Sequence, residues 1–149
     1  MLSVVLPAYN EEKMIKKAAG TIGNILKNEE IDYEIVFVDD GSKDGTWREI
    51  ESAGKEDEHV NGVRFSRNFG KESAMMAGLE NADGDCVVVM DCDLQDRPEE
   101  ILNLYAKAQE GWELVTFSVT NSCKAILVFR VADGTPQGNT MREEAVDEK

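Results

Sequence analysis

Histidine is almost absent: His59 is the only one in 149 residues, and it lies in a polar stretch. A Ser-His-Asp mechanism is therefore a poor fit. Cysteine is scarce too. Cys86, Cys92 and Cys123 are odd in number and include no CxxC pair, which indicates neither a disulfide framework nor a zinc site. Reduced thiols in a cytoplasmic chain are the plain expectation. No apolar run approaches the roughly 18 residues of a membrane helix; the nearest, AILVFRVA at 125–132, is short and carries Arg130. The first residues, MLSVVLPAYN, have no basic region ahead of their apolar run and do not read as a signal peptide. A soluble chain is expected.

Positive charge is also short, with 16 Lys and Arg against 30 Asp and Glu and a net charge of −14. Without a basic stripe, a nucleic-acid polymer is not an expected partner. Much of the acidic excess falls in runs such as Glu29, Glu30, Asp32 and Glu34, or Glu56, Asp57 and Glu58, which read as solvated faces. Missing as well are GxGxxG after the first apolar run and GxxxxGK[ST] anywhere, so the usual dinucleotide and P-loop readings lose support. No internal repeat and no second domain are visible.

At 42% hydrophobic, the chain can build one domain with a real core. Residues 2–6 form an apolar run closed by Pro7, which suits a buried strand. Met14, Ile15, Ala18, Ala19, Ile22, Ile25 and Leu26 then recur at three- and four-residue steps, one apolar helical stripe within residues 11–27. Residues 33–38 (YEIVFV) are a second strand, ending in Asp39-Asp40-Gly41-Ser42. Asp44 or Thr46 can cap a helix reaching about residue 53. GVRFS at 62–66 reads as a third strand, 73–79 as a helix and 84–93 as a fourth strand. Pro98 suits the first turn of a helix running to about 109. WELVTFSV (112–119) and KAILVFRVA (124–132) are candidate fifth and sixth strands, and residues 134–149 read as a loose tail.

Strands and helices in alternation, with continuous apolar strands, predict a mostly parallel α/β sheet covered on both faces. Ligands of such sheets bind beyond the carboxyl ends of the strands. Here those ends carry Pro7-Ala8-Tyr9-Asn10-Glu11, Asp39-Asp40-Gly41-Ser42, Ser66-Arg67-Asn68 and Asp91-Cys92-Asp93.

Asp91 and Asp93 have two readings. D-x-D in so acidic a chain can be a solvated turn, or the two carboxylates can converge on a hard divalent cation such as Mg2+ or Mn2+. The position directly after VVVM, at the ligand edge, favours the cation. Asp39 and Asp40 likewise sit in turn chemistry, yet an acid at this strand end can also accept hydrogen bonds from a ribose or base.

Four segments together resemble the family-two glycosyltransferases of GT-A fold, especially the branch that loads a sugar onto a polyprenyl phosphate. They are VVLPAYNEE (4–12), YEIVFVDDGSKDGT (33–46), RFSRNFGKESAMMAGLENADGD (64–85) and VVVMDCDLQDRPE (87–99), in the family's order and spacing. The resemblance covers residues 1 to about 115. It implies a GT-A core over 1–118 and leaves 119–149 as a divergent or truncated segment.

By the same resemblance, Pro7, Ala8, Tyr9, Asn10 and Glu11 match the first nucleotide-binding loop, and Val38, Asp39 and Asp40 the positions around base and ribose. Asp91 and Asp93 match the acidic motif that binds Mg2+ or Mn2+ and, through it, the diphosphate. Cys92 and Gln95 lie in that segment, Gln95 as a further metal ligand. Asn68, Gly70 and Lys71 match a loop near the donor. The implied activity moves a sugar, with inversion, from a UDP- or GDP-linked donor to a polyprenyl phosphate at the cytoplasmic membrane face. Such an acceptor is already anionic, so a strong general base is unnecessary. A homo-oligomer or a membrane partner is compatible with this. Two other readings stand beside it: a shortened GT-A module that binds nucleotide and metal without turnover, and an unrelated α/β phosphoryl- or nucleotidyl-transferase.

Overall fold

The computed structural model describes residues 1–95, 97–109 and 127–130. Elements alternate as the periodicities predict: β1 (Leu2–Ala8), α1 (Ile15–Asn28), β2 (Tyr33–Asp39), α2 (Thr46–Glu56), β3 (Val60–Arg64), α3 (Lys71–Glu80), β4 (Cys86–Val89), α4 (Glu100–Gln109) and β5 (Leu127–Arg130). Strand order is β3-β2-β1-β4-β5. The first four strands are parallel and β5 pairs antiparallel with β4, a common edge arrangement in α/β sheets. β5 falls within the candidate sixth strand; the candidate fifth strand, 112–119, and the expected loose tail lie outside the described residues.

Alternation along β1 and β2 builds both layers. Leu2, Val4, Leu6, Tyr33, Ile35 and Phe37 face α1, α2 and α4 through Ile15, Ala18, Ile22, Leu26, Ile50, Ala53, Ile101 and Ala108. Val5, Val36, Val38, Val87 and Val89 face the other way, onto Ala74, Met75, Ala77 and Leu79 of α3. With apolar side chains on both faces, a buried polar strand residue is costly unless it is hydrogen-bonded. Glu34 obeys this: Oε1 accepts from Ser3 Oγ (2.5 Å) and the Asp83 N–H (2.7 Å), and Oε2 from Asn61 Nδ2 (3.2 Å). It ties three strands and the α3–β4 turn together at the amino end of the sheet.

A second cluster closes the same end. Tyr33 stacks on His59 with ring centroids 4.6 Å apart. His59 Nδ1 lies 2.6 Å from Asp57 Oδ1, and Lys27 Nζ 3.1 Å from Asp57 Oδ2. Burial alone would raise the Asp57 carboxyl; the His59 backbone N–H and ring and the Lys27 ammonium outweigh it and hold its pKa at about 2. A carboxyl depressed in the folded state contributes stability that is complete above its unfolded value, about 4, and is lost as pH falls towards 2. Asp57→Asn should therefore lower stability by about 1–2 kcal/mol near neutral pH. Urea titrations should show that difference closing as the pH approaches about 2.

Candidate active site

The strand order creates the site. From β1 the chain builds β2 and β3 on one side, then returns to place β4 on the other. A crevice opens at such a reversal, beyond the carboxyl ends. β1 pairs with β4 only as far as Val5↔Val89, while it continues beside β2 to Ala8↔Asp39. The last backbone bond on the β4 side runs from the Met90 N–H to the Val5 carbonyl, 3.0 Å. The two strands then part, and Asp91 begins a turn.

The loop after β1 is held by its neighbour. Asn10 takes the left-handed conformation (φ 54), which asparagine tolerates. Its N–H donates to Ser42 Oγ and its Oδ1 accepts from the Lys43 N–H, both 2.9 Å. The Glu11 N–H donates to Thr46 Oγ1 (2.9 Å) and Glu12 Oε2 accepts from the Gly45 N–H (2.7 Å). The stripe expected within 11–27 becomes α1 from Ile15, with Met14 at the cap position. Neither expected cap holds the cap position of α2, which is Gly45 and makes no side-chain cap bond; Asp44, one residue earlier, accepts from the N–H of Thr46, the first residue of the helix, at 2.9 Å.

At the end of β2 the two aspartates differ. Both Asp40 oxygens are engaged, Oδ1 by the Phe69 N–H (2.7 Å) and Oδ2 by the Gly70 N–H (3.1 Å). Asp39 Oδ1 accepts from the Ser42 N–H at 2.9 Å. Its Oδ2, fully buried, has no hydrogen-bond partner; the nearest cation is Arg64, with Nε at 3.7 Å. Glu34, at the other end of the same strand, is satisfied. An orphaned buried carboxylate oxygen is costly and marks a place where a donor group belongs.

At the end of β4, Asp93 Oδ1 accepts from the Gln95 N–H at 3.1 Å, and Leu94 turns the chain at φ 56. Lys71, the first residue of α3, places Nζ 2.6 Å from Asp91 Oδ1. Burial pushes the Cys92 thiol up to about 12, with Glu11, Asp93 and Asp91 adding to the shift. Three carboxylates thus surround one thiol that stays protonated. Cys92 should resist iodoacetamide in the native chain near pH 8 and react only after unfolding, as peptide mass mapping would show.

A cleft of about 230 Å³ joins these ends, lined by Pro7, Ala8, Tyr9, Glu11, Asp40, Lys71, Ala74, Asp91, Cys92 and Asp93. Nine of the residues singled out from the sequence therefore meet in one place. Asn10, Val38, Asp39 and Gln95 do not line it. Val38 is core beneath α3, Asn10 braces a loop, and Gln95 is exposed beyond the turn. A second, shallower cleft of about 350 Å³ is lined by Gly41, Ser42, Arg64, Phe65 and Ser66, with Arg64 reaching towards Asp39. Arg64 and Phe65 were not foreseen as site residues. β3 spans 60–64 rather than 62–66, and that two-residue shift brings them to the carboxyl edge.

Asp91 and Asp93 supply hard oxygen donors of the kind Mg2+ and Mn2+ take. Among the described residues, no group of three His, Cys, Asp or Glu is assembled to hold a metal. These two carboxylates fit a cation whose remaining ligands are water and phosphate oxygens, the usual habit of Mg2+. The ammonium on Asp91 shows that this position already attracts a cation.

The chain is similar to known proteins in both sequence and fold. The chain is 44% identical over 115 residues to an undecaprenyl-phosphate 4-deoxy-4-formamido-L-arabinose transferase of Proteus mirabilis, covering 76% of this chain and 35% of that protein. It is 43% identical to the Shewanella sediminis protein of the same name, with the same coverage. The chain thus spans about a third of the length of these curated relatives. Among solved structures, Mycobacterium tuberculosis glucosyl-3-phosphoglycerate synthase, determined with Mn2+, UDP-glucose and phosphoglyceric acid, superposes with a TM-score of 0.61 at 27% identity. That match covers 78% of this chain and 42% of the synthase. The profile named Glycosyl transferase family 2 matches residues 3–144. With the sheet, the cleft and its carboxylates in the order described, the chain belongs to glycosyl transferase family 2, on a GT-A fold.

Proposed function

We propose that this chain binds a nucleoside-diphosphate sugar with a divalent cation and transfers the sugar, with inversion, to a polyprenyl phosphate. The observation that carries the proposal is the meeting of Asp91, Asp93 and Lys71 at the crevice between β1 and β4. Two carboxylates suit a cation and an ammonium suits a phosphate, so the set fits a diphosphate held through both. The names of the Proteus and Shewanella relatives supply the acceptor class, and the Mycobacterium structure the donor class.

The geometry supports the following division of labour. Asp39 Oδ2, buried and without a hydrogen-bond partner beside Arg64, becomes the acceptor for an N–H of the base when Arg64 swings aside. Asp40 fixes the start of α3 and so places Lys71. Asp91 and Asp93 hold the cation, which when bound stabilises the charge growing on the departing diphosphate. Lys71 adds its own positive charge there. Cys92, neutral and buried, fills the floor without adding to the negative charge. Attack comes from an acceptor phosphate oxygen on the face of the anomeric carbon opposite the leaving diphosphate: a C–O bond to the acceptor forms as that to the nucleotide breaks. The acceptor is already ionised near neutral pH, so no histidine base is required.

Either Mg2+ or Mn2+ suits the two carboxylates, and the donor base is uracil or guanine. Among the described residues no helix is long and apolar enough to cross a membrane. Incubating the chain with radiolabelled UDP- or GDP-sugars, Mn2+ and undecaprenyl phosphate tests the proposal. Label entering the organic phase, and none with EDTA, is the expected result. Donor binding without transfer would instead establish a binding module.

A further inference from the structure

Lys71 is held in place by more than its ion pair. It opens α3, and the two N–H groups before it, Phe69 and Gly70, are both gripped by Asp40 at 2.7 and 3.1 Å. Gly70 at φ 100 makes the turn that lets both reach one carboxylate. The Asp40 N–H in turn donates to the Ala8 carbonyl at 2.9 Å. Fixed contacts thus run from β1 through Asp40 and the β3–α3 loop to Lys71. They end with an ammonium 2.6 Å from Asp91 Oδ1, on the carboxylate assigned to the divalent cation.

Two cations crowded onto one carboxylate repel each other. The Lys71 side chain is 56% exposed and that of Asp91 only 24%, so the lysine is the partner able to swing away. Resting on the donor-site reading above, we infer that Lys71 is an exchangeable counter-ion. It neutralises Asp91 in the empty cleft, yields it when a divalent cation arrives with a diphosphate, and then pairs with the diphosphate. A cation arriving alone must expel an ammonium that gains no new partner. One arriving with nucleotide does not, because the ammonium acquires an anion of its own. Lys71 therefore makes cation binding depend on nucleotide, and Asp40 is the positioning residue that sets up the exchange.

Mn2+ uptake by the chain, read from loss of the free-ion EPR signal, tests this with and without UDP or GDP. Lys71→Met should bind Mn2+ alone about three- to tenfold more tightly than wild type, because a competing charge is gone. In saturating Mn2+ the same variant should bind the nucleoside diphosphate about tenfold more weakly, so the mutual enhancement of the two ligands shrinks. Lys71→Arg, which keeps the charge, should keep the wild-type pattern. Asp91→Asn should lose Mn2+ under both conditions. If Lys71→Met takes up Mn2+ alone no better than wild type while Asp91→Asn abolishes uptake, the exchange is wrong and the donor site stands. If wild type takes up no Mn2+ even with UDP or GDP, both fall together.

Discussion

Replacing Asp93 or Asp91 with asparagine should weaken Mn2+-dependent binding of a nucleoside diphosphate by at least about a hundredfold, roughly 2.7 kcal/mol, with the fold retained. Asparagine keeps the shape and one acceptor oxygen but removes the charge that a hard cation demands. Little stability is at risk. At Asp91 the ion pair with Lys71 is lost, and Lys71 is more than half exposed, where such pairs are worth about 0–1 kcal/mol. Calorimetry in Mn2+ would show the loss, and in EDTA wild type and variants should bind equally poorly. Asp32→Asn, exposed at the opposite edge of the sheet, is the control and should change nothing. If Asp93→Asn binds as well as wild type, the acids after β4 are the solvated turn that D-x-D can also be.

The second large effect is at Gly41. Its φ of 68 lies where side chains are strained. A Cβ there would press on the Arg67 carbonyl carbon and stand 2.5 Å from the Asn68 nitrogen and 2.7 Å from the Arg67 Cα. All three are backbone atoms, so no rotamer change relieves them. Gly41→Ala should cost about 3 kcal/mol or more by urea unfolding, combining left-handed strain with overpacking. It should also weaken nucleotide binding, because Arg67 and Asn68 directly precede the two N–H groups that Asp40 holds. Gly20→Ala is the matched contrast. Nothing lies within 4 Å of its new methyl, in the middle of α1, and the variant should gain about 0.5–1 kcal/mol in helix propensity.

Much of this architecture could be read from residue patterns alone. The runs in β1, β2 and β4 are apolar without alternation, which a parallel strand covered on both faces allows. The stripe of α1 has helical spacing throughout. The pattern puts β3 at 62–66, two residues late, because its buried start, Val60, sits between polar His59 and Asn61, and only the register Ile35↔Val60 reveals it. α3 has no stripe at all, and only its alanines and methionines mark it as a helix. Asp91 and Asp93 were visible because they follow an apolar run directly.

What the pattern could not show was which polar groups were already spent. Asn10 bonds to Ser42 and Lys43, and Asp40 to Phe69 and Gly70, some thirty residues away along the chain. The Lys71–Asp91 pair and the vacant Asp39 oxygen arise the same way, from helices and strands that bring distant segments to one edge. Residue type announces a carboxylate; only the fold says whether its oxygens are free.

Where the cation–nucleotide complex sits can be measured directly. In amide spectra of the 15N-labelled chain with UDP or GDP and trace Mn2+, paramagnetic broadening falls off steeply with distance from the ion. The prediction is that the amides of Tyr9, Glu11, Lys71, Asp91, Cys92 and Asp93 broaden first. Those of Glu29, Asp32 and Glu58, at the amino edge, should stay sharp, and EDTA should restore every peak. Broadening centred on the amino-edge acids, or spread evenly over the acidic surface, would contradict a donor site at the crevice between β1 and β4.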